Sequence, residues 1–376
     1  MYAYQSIQDI IFLMLYGATA MLAVVAALYL CLRRSNAIAP DVIPPKVLRR
    51  WAAGFFMASA LSHVWWFALG TYWLTDDRLV RNITAVALDH VTLVPLAMAM
   101  LLRMLQDRWR RFWPWLLTQL PIVVMAFVGI VKHDEFYGLE ILHYWEVTVI
   151  TIFIVYYVYA LIQYGRWLHD NYADLEHKEV WQSLVVLAVI LLVSNFYVGG
   201  YWLPAYEYVS QASGAILICY LLWRVETLSD LSISQAMPPI VEEKPSTTEN
   251  PENLDDNSLS QTNYDYIGVL LQEHCADTQL YLQHDLSLTQ LAKSIGTNRF
   301  YLSQYFSSQG TTYNTYINDL RIDHFIRRFR DAVDAQQSIS ALQLAQESGF
   351  RSYTTFSSAF KRKTGQSVRV WMKALE

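Results

Sequence analysis

Charged residues, cysteines and metal-binding spacings are all scarce in this sequence. Only 16% of its 376 residues are charged and three are cysteines, whereas about a quarter of the residues in soluble domains are charged. The composition therefore argues against a chain that is soluble throughout. Cys31, Cys219 and Cys275 show no spacing typical of a disulfide framework or a zinc site, and the chain has no kinase, receiver or nucleotide-binding motif. We therefore expect no enzymatic activity, no cofactor and no resident metal.

Apolar residues are abundant instead, at 54% of the total, and they are gathered in long runs. A helix needs roughly 20 apolar residues to cross the hydrocarbon core of a bilayer. Seven stretches meet that length, at about 10–32, 51–73, 83–102, 112–131, 141–164, 180–203 and 205–223. Runs of this kind leave no polar faces that a large soluble helical protein could expose to water. The sequence therefore predicts a seven-helix transmembrane bundle over residues 1–225.

Basic residues are distributed unevenly between the loops that join these stretches. The first, third and fifth loops contain eleven: Arg33, Arg34, Lys46, Arg49, Arg50, Arg103, Arg108, Arg110, Arg111, Arg166 and Lys178. The second, fourth and sixth loops contain only Arg78, Arg81 and Lys132. Because basic loops stay in the cytoplasm, we expect a multi-pass protein of the cytoplasmic membrane with its N-terminus outside and its C-terminus in the cytoplasm.

Several polar residues lie inside the predicted spans, where ionisable groups are costly and tend to be functional. With this topology they all fall in the outer half of the bundle: His63, Asp89, His90, His143, Glu146, Asn195 and Glu207. One interpretation is a polar pocket that binds a small molecule from outside. The alternative is that they form hydrogen bonds between helices.

A metal site is a further alternative, since His63, Asp89, His90 and Glu146 are of suitable ligand types. It would suit an intramembrane metal-dependent hydrolase with a regulatory tail. None of these residues shows the His-x-x-x-His spacing that sets two ligands on one helix face, so this alternative is the weaker one.

Residues 226–261 differ from the sequence on either side of them. They contain eight acidic residues against one basic residue, together with Pro238-Pro239, Pro245 and Pro251. Few residues here could pack into a core, which predicts an acidic disordered linker.

Residues 262–376 contain one pattern twice. Leu291–Gly296 matches Leu344–Gly349 at an offset of 53 residues, Tyr301–Phe306 matches Thr355–Phe360 at 54, and Gly310 matches Gly365 at 55. A glycine after the first helix of each copy allows a tight turn, and Asn298 or Ser352 can then cap the second helix. The pattern predicts helix-turn-helix units at about 286–308 and 339–362, joined by a helix at about 313–330.

The second helix of each unit has an apolar face at helical spacing, formed by Leu302 and Phe306 or by Phe356 and Phe360. Its other face is then free to enter a major groove. Two such units read successive major-groove faces when their recognition helices lie about 34 Å apart, which is one turn of DNA.

This region, over about residues 264–374, closely resembles the AraC-type family of transcription regulators. The resemblance rests on Asp285–Ala292, on Tyr316–Arg321 after the first unit, and on Gly349–Phe350 through Phe360–Lys361 in the second. It implies sequence-specific promoter binding. The base-facing residues that it implies are Arg299, Phe300, Ser303 and Gln304 in the first unit and Arg351, Tyr353, Thr354, Ser357 and Ser358 in the second, with Lys361, Arg362 and Lys363 on phosphates.

The sequence departs from the family pattern in two ways. Gln304 and Ser358 stand where the family often has arginine, which removes a strong guanine contact at each. Ser367-Val368 stands where the family usually has Thr-Pro.

The sequence as a whole predicts a membrane-bound bacterial transcription regulator controlled by a signal sensed in the outer half of the spans. The expected partners are double-stranded promoter DNA, the lipid bilayer, a small-molecule ligand from outside and, through pairing of the spans, a second copy of the chain. The alternative is a passive anchor that only holds a constitutive regulator at the membrane.

Overall fold

The computed structural model describes residues 7–33, 35–40, 42–71, 74–185, 206–231, 256–337 and 339–375. The prediction of an all-α fold is confirmed for these residues, among which one isolated antiparallel bridge is the only strand-like pairing. The chain divides into two compact units. The first consists of residues 1–164 and 179–231, and the second of residues 165–178 and 232–376.

The first unit is built from apolar helices. They are α1 Ile7–Leu32, α2 Lys46–Gly70, α3 Arg78–Met104, α4 Trp113–Leu117, α5 Leu120–Lys132, α6 Ile141–Asn171 and α7 Tyr206–Thr227, with a π-helical turn at Phe136–Glu140 before α6. Asp77 caps α3 by accepting hydrogen bonds from the backbone N–H groups of Leu79 and Val80. The last seven residues of α6 belong to the second unit.

Within the described residues, five helical segments are long and apolar enough to cross a membrane: Ile7–Leu32, Lys46–Gly70, Arg78–Met104, Trp113–Lys132 and Phe136–Asn171. The predicted count of seven spans is therefore not confirmed. The stretch predicted at 205–223 does form a helix, α7, which is not among the five. The stretch predicted at 180–203 lies mostly outside the described residues.

The second unit is a set of shorter helices. They are α8 Asp256–Leu271, α9 Leu288–Ser294, α10 Arg299–Ser308, α11 Tyr313–Asp334, α12 Ala341–Glu347, α13 Tyr353–Thr364 and α14 Val368–Lys373. Helices α7 and α8 overlap the two ends of the stretch that was predicted as a linker, and residues 232–255 of that stretch lie outside the described residues.

Helix α11 is shared by two apolar cores of the second unit. Its first half contributes Tyr313 and Ile317 to one core, with helices α8, α9 and α10. Its second half contributes Phe325 and Phe329 to the other, with α12, α13 and α14. Each core therefore supports one predicted helix-turn-helix unit, and α11 joins the two as the sequence predicted.

Cys275 is a buried member of the first of these cores. Burial raises the pKa of its thiol to about 12, so the reactive thiolate does not form at neutral pH. Cys31 and Cys219, on the apolar helices, are exposed.

Candidate nucleic-acid interface

The turn between the two helices of each unit has the predicted geometry. Gly296 and Gly349 adopt φ angles of +74° and +91°, which side chains with a Cβ rarely adopt. Asn298 then accepts a hydrogen bond from the N–H of Tyr301 at 3.0 Å, and Ser352 accepts one from Thr355 at 3.2 Å. The predicted caps are confirmed, and they fix the start of both recognition helices, α10 and α13.

The inner faces of these helices are buried as expected. Leu302 and Phe306 pack into the first core, and Phe356 and Phe360 pack into the second. The outer faces are consequently presented to solvent.

The predicted base-facing residues of the first unit all lie on α10. Arg299, Phe300 and Gln304 are exposed, and Ser303 is half-buried. Phe300 has 65% of its surface exposed, which is unusual for a phenylalanine that has only a packing role. The residues form one accessible face at the first turns of the helix, where recognition helices contact base edges.

The second unit repeats this arrangement. Arg351, Tyr353, Thr354 and Ser358 are exposed, and Ser357 is half-buried. Arg351 lies 3.4 Å from a carboxylate oxygen of Asp285. It is therefore held by a partner that is itself largely exposed, and DNA could take that partner's place.

The three basic residues at the end of α13 differ in their surroundings. Arg362 lies 3.4 Å from the Asp319 carboxylate, and the Lys363 ammonium lies 2.6 Å from the Asp323 carboxylate. Lys361 is exposed and has no ion-pair partner among the described residues. The three therefore do not form one uniform phosphate-binding patch.

The sequence interpretation missed these acidic partners. Asp319 and Asp323 lie four residues apart on α11, so they share one helix face, and that spacing could have indicated an acidic edge. Which basic residues this edge meets depends on how α13 packs on α11, and no local pattern gives that.

Arg321 is a second residue whose role emerges only from the fold. Its guanidinium is fully buried and donates hydrogen bonds to the carbonyl oxygens of Tyr281, at 2.7 Å, and Gln283, at 2.6 Å. It also lies over the ring of Phe350. Arg321 thus ties α11 to the segment before the first unit and to the turn of the second, so it is a structural residue and not a DNA contact.

The polar residues predicted to form a membrane pocket do not gather at one place. His63 and Asp89 line a cavity of about 680 Å³ in the first unit, with walls from Phe12, Tyr16, Trp66, Phe67 and Gln211 among others. The Asp89 carboxylate accepts hydrogen bonds from Ser62, at 2.6 Å, and from the indoles of Trp65 and Trp66, at 3.0 and 2.7 Å. Among the described residues, all three of these hydrogen-bond donors are neutral.

His90, His143 and Glu146 do not line this cavity. The His90 imidazole contacts the Glu146 carboxylate, and His143 is exposed. Asn195 lies outside the described residues, as does the side chain of Glu207. Adjacent positions 89 and 90 point their side chains about 100° apart on a helix, which is why a shared depth in the bilayer did not mean a shared pocket.

No group of three or more His, Cys, Asp or Glu side chains that could hold a metal ion occurs in the described part of the chain. The intramembrane hydrolase alternative therefore has no site in these residues.

Comparison with known proteins bears on the second unit. A family model described as a helix-turn-helix domain matches residues 291–374, in agreement with the resemblance to AraC-type regulators. No curated protein matches the chain, and no solved structure matches it. Residues 291–374 therefore form a helix-turn-helix domain, which indicates a DNA-binding transcription regulator.

Proposed function

We propose that this chain is a membrane-bound transcription regulator that reads promoter DNA with both helix-turn-helix units while its apolar helices remain in the bilayer. The observation that carries the proposal is the pair of capped recognition helices, each with a buried inner face and an exposed outer face, in a chain whose described residues also form five membrane-length helices. The loop charges support a cytoplasmic C-terminus.

DNA footprinting with the full chain in nanodiscs tests this proposal. We expect a protected site that spans about two major-groove turns. Arg299→Ala should weaken binding at one base position by about 1–3 kcal/mol. Arg369→Ala is the matched control, because it removes the same charge from an exposed position on α14 that is not predicted to face DNA. An absence of any protected site would contradict the proposal.

The cavity beside Asp89 supports a sensing role for the first unit. The hydrogen-bond donors to its carboxylate among the described residues are neutral, and the rings of Phe12, Tyr16 and Trp66 line the same cavity. A carboxylate among aromatic faces favours a small ligand with a cationic group and an apolar body. Pairing of two chains through the apolar helices is one way in which such a ligand could bias DNA binding.

Reporter transcription in cells tests the sensing role. Asp89→Asn should abolish the response to the inducing condition while leaving the protein level unchanged. Asp76→Asn, in the exposed loop before α3, is the matched control and should respond normally. A normal response from Asp89→Asn would favour the passive anchor.

A further inference from the structure

The end of α6 and the short stretch that follows it are built into the DNA-binding unit. Residues 165–178 cluster with the second unit although about 80 residues of sequence separate them from its first described helix, α8. Ala173 is fully buried in the core of the first helix-turn-helix unit. Tyr172 forms an antiparallel bridge with Ser287, the residue that caps α9.

Two asparagines of α11 hold the backbone of this segment. The Asn314 carboxamide donates hydrogen bonds to the carbonyl oxygens of Tyr172, at 3.0 Å, and Ala173, at 2.8 Å. The Asn318 carboxamide donates to Ala173 at 3.0 Å. Asparagine is a poor residue for a helix interior, and a buried carboxamide requires partners, so both side chains are suited to receiving this segment.

The docked segment also buries charge. Asp174 and Lys178 are only 3% and 7% exposed. One oxygen of the Asp174 carboxylate accepts a hydrogen bond from the N–H of Glu176, and the other makes none with the described residues. Burial lowers the pKa of Lys178, in spite of its attraction to Asp174 and Asp285. Since burying charged groups opposes the gain from packing, these two residues lower the net stability of the docked segment.

One end of the segment brings negative charge to the first recognition helix. The Asp170 carboxylate interacts electrostatically with the Arg299 guanidinium, at the start of the first recognition helix. Asp170 is in the last turn of α6, and a helix C-terminus itself carries partial negative charge. DNA phosphates that approach Arg299 would therefore be repelled while the segment is docked.

We propose that residues 165–178 are an autoinhibitory docking segment that lowers DNA binding by the first helix-turn-helix unit until a change in the apolar helices releases it. The segment begins with the last seven residues of α6, so a movement of that helix reaches the DNA-binding unit without passing through residues 232–255. The inference rests on the DNA binding proposed above and adds the physical route by which that binding is controlled.

A reversible cross-link in the full chain tests the proposal. Residues paired across an antiparallel bridge have Cα atoms roughly 4.5–5.5 Å apart, which suits a disulfide. Tyr172→Cys with Ser287→Cys is made in a chain whose three native cysteines are replaced by alanine, and the protein is placed in nanodiscs. Its binding is measured to a duplex that its reduced form selects from a random-sequence pool. The two single-cysteine chains are the controls.

We expect the oxidised double variant to form the disulfide and to bind the duplex at least tenfold more weakly than the same sample after reduction. Equal binding before and after reduction, or failure of the disulfide to form, would overturn the proposal. If the reduced chain selects no DNA at all, DNA binding itself fails, whereas disulfide formation still reports whether the segment docks.

A release variant gives an independent test. Asn314→Ala with Asn318→Ala removes the hydrogen bonds to the segment, and Asp170→Asn removes its charge beside Arg299 without touching a core. Both variant proteins should bind the duplex several-fold more tightly than the natural chain. Only the variant with Asn314→Ala and Asn318→Ala should show faster hydrogen exchange in residues 172–178. Weaker or unchanged binding by Asp170→Asn would contradict an inhibitory role for the segment.

Discussion

Gly349 lies at a turn where the backbone conformation and the available space both require glycine. Its φ is +91°, and a Cβ there would lie 2.9 Å from the Cα and the carbonyl oxygen of Leu282. Gly296 occupies the same place in the first unit, with a φ of +74° but no atom within 4 Å of such a Cβ. A side chain at Gly296 would therefore meet conformational strain alone, whereas one at Gly349 would meet strain and steric overlap.

Alanine substitutions at these positions should differ in cost. Gly296→Ala should destabilise the second unit by about 1–2 kcal/mol, the cost of a left-handed conformation. In Gly349→Ala the new Cβ would also overlap the backbone of Leu282. The total loss of stability should therefore be roughly 2–5 kcal/mol. Hydrogen-exchange rates of α9 to α14 in the full chain measure both costs, and equal effects would contradict the account of Gly349.

His324 makes the second unit sensitive to acid. Its pKa is lowered by burial and then by Arg327 and Arg328, and its Nδ1 lies 3.2 Å from the Ser348 hydroxyl. The pKa of His324 in the folded chain is below its value of about 6.5 in the unfolded chain. As the pH falls, the imidazole is therefore protonated first in the unfolded chain. Stability should therefore decrease as the pH drops below about 6.5.

His324→Gln tests this pH dependence, since glutamine keeps a polar side chain but does not titrate. Hydrogen-exchange protection of α11 and α12 at pH 7.5 and pH 5.5 should differ less in the variant than in the natural chain. An identical difference in both would assign the acid sensitivity to other groups.

At the scale of the helix, the acidic edge of α11 restrains part of the basic end of α13. Asp319 and Asp323 hold Arg362 and Lys363, whereas Lys361 has no ion-pair partner among the described residues. These pairs are partly exposed, so they contribute little to stability. Their effect on phosphate binding should be larger, because a paired cation must give up its partner to bind DNA.

Removing the acidic edge should therefore strengthen DNA binding. Asp319→Asn with Asp323→Asn should raise affinity for duplexes of any sequence and increase the slope of log K against log salt by up to about 2. Asp331→Asn, at an exposed position nearer the end of α11, is the control. Titrations at several salt concentrations measure the slope, and an unchanged slope would show that these cations do not reach phosphate.

Local sequence predicted these helices well, because their determinants are local. Asn298 and Ser352 each mark a helix start, because the side chain accepts a hydrogen bond from the backbone N–H three residues later. Leu302 and Phe306 mark a buried face by their helical spacing. The docking of Ala173 was missed because it joins positions about 140 residues apart in the sequence. The membrane pocket was only partly predicted, because depth in the bilayer does not specify the direction in which Asp89 and His90 point.

At the scale of the whole molecule, the charges of the loops predict the topology. The proposed orientation puts the loop before α3 outside and the loop after it in the cytoplasm. Trp109, in the second of these loops, is 73% exposed, and Asp76, in the first, is also exposed.

Cysteine labelling in cells tests this orientation. In a chain without native cysteines, Asp76→Cys should react with a membrane-impermeant maleimide in intact cells, and Trp109→Cys should react only after permeabilisation. The reverse pattern would place the C-terminus outside and exclude DNA as the partner.

The central claim is that the chain binds specific DNA while it is anchored in the membrane. A genome-wide map of DNA cross-linked to the full chain in living cells tests it most directly. We predict discrete sites that share two half-motifs about one DNA turn apart and that disappear in the Arg299→Ala, Arg351→Ala variant at equal protein level. A map without discrete sites, or one that this double variant leaves unchanged, would contradict the claim.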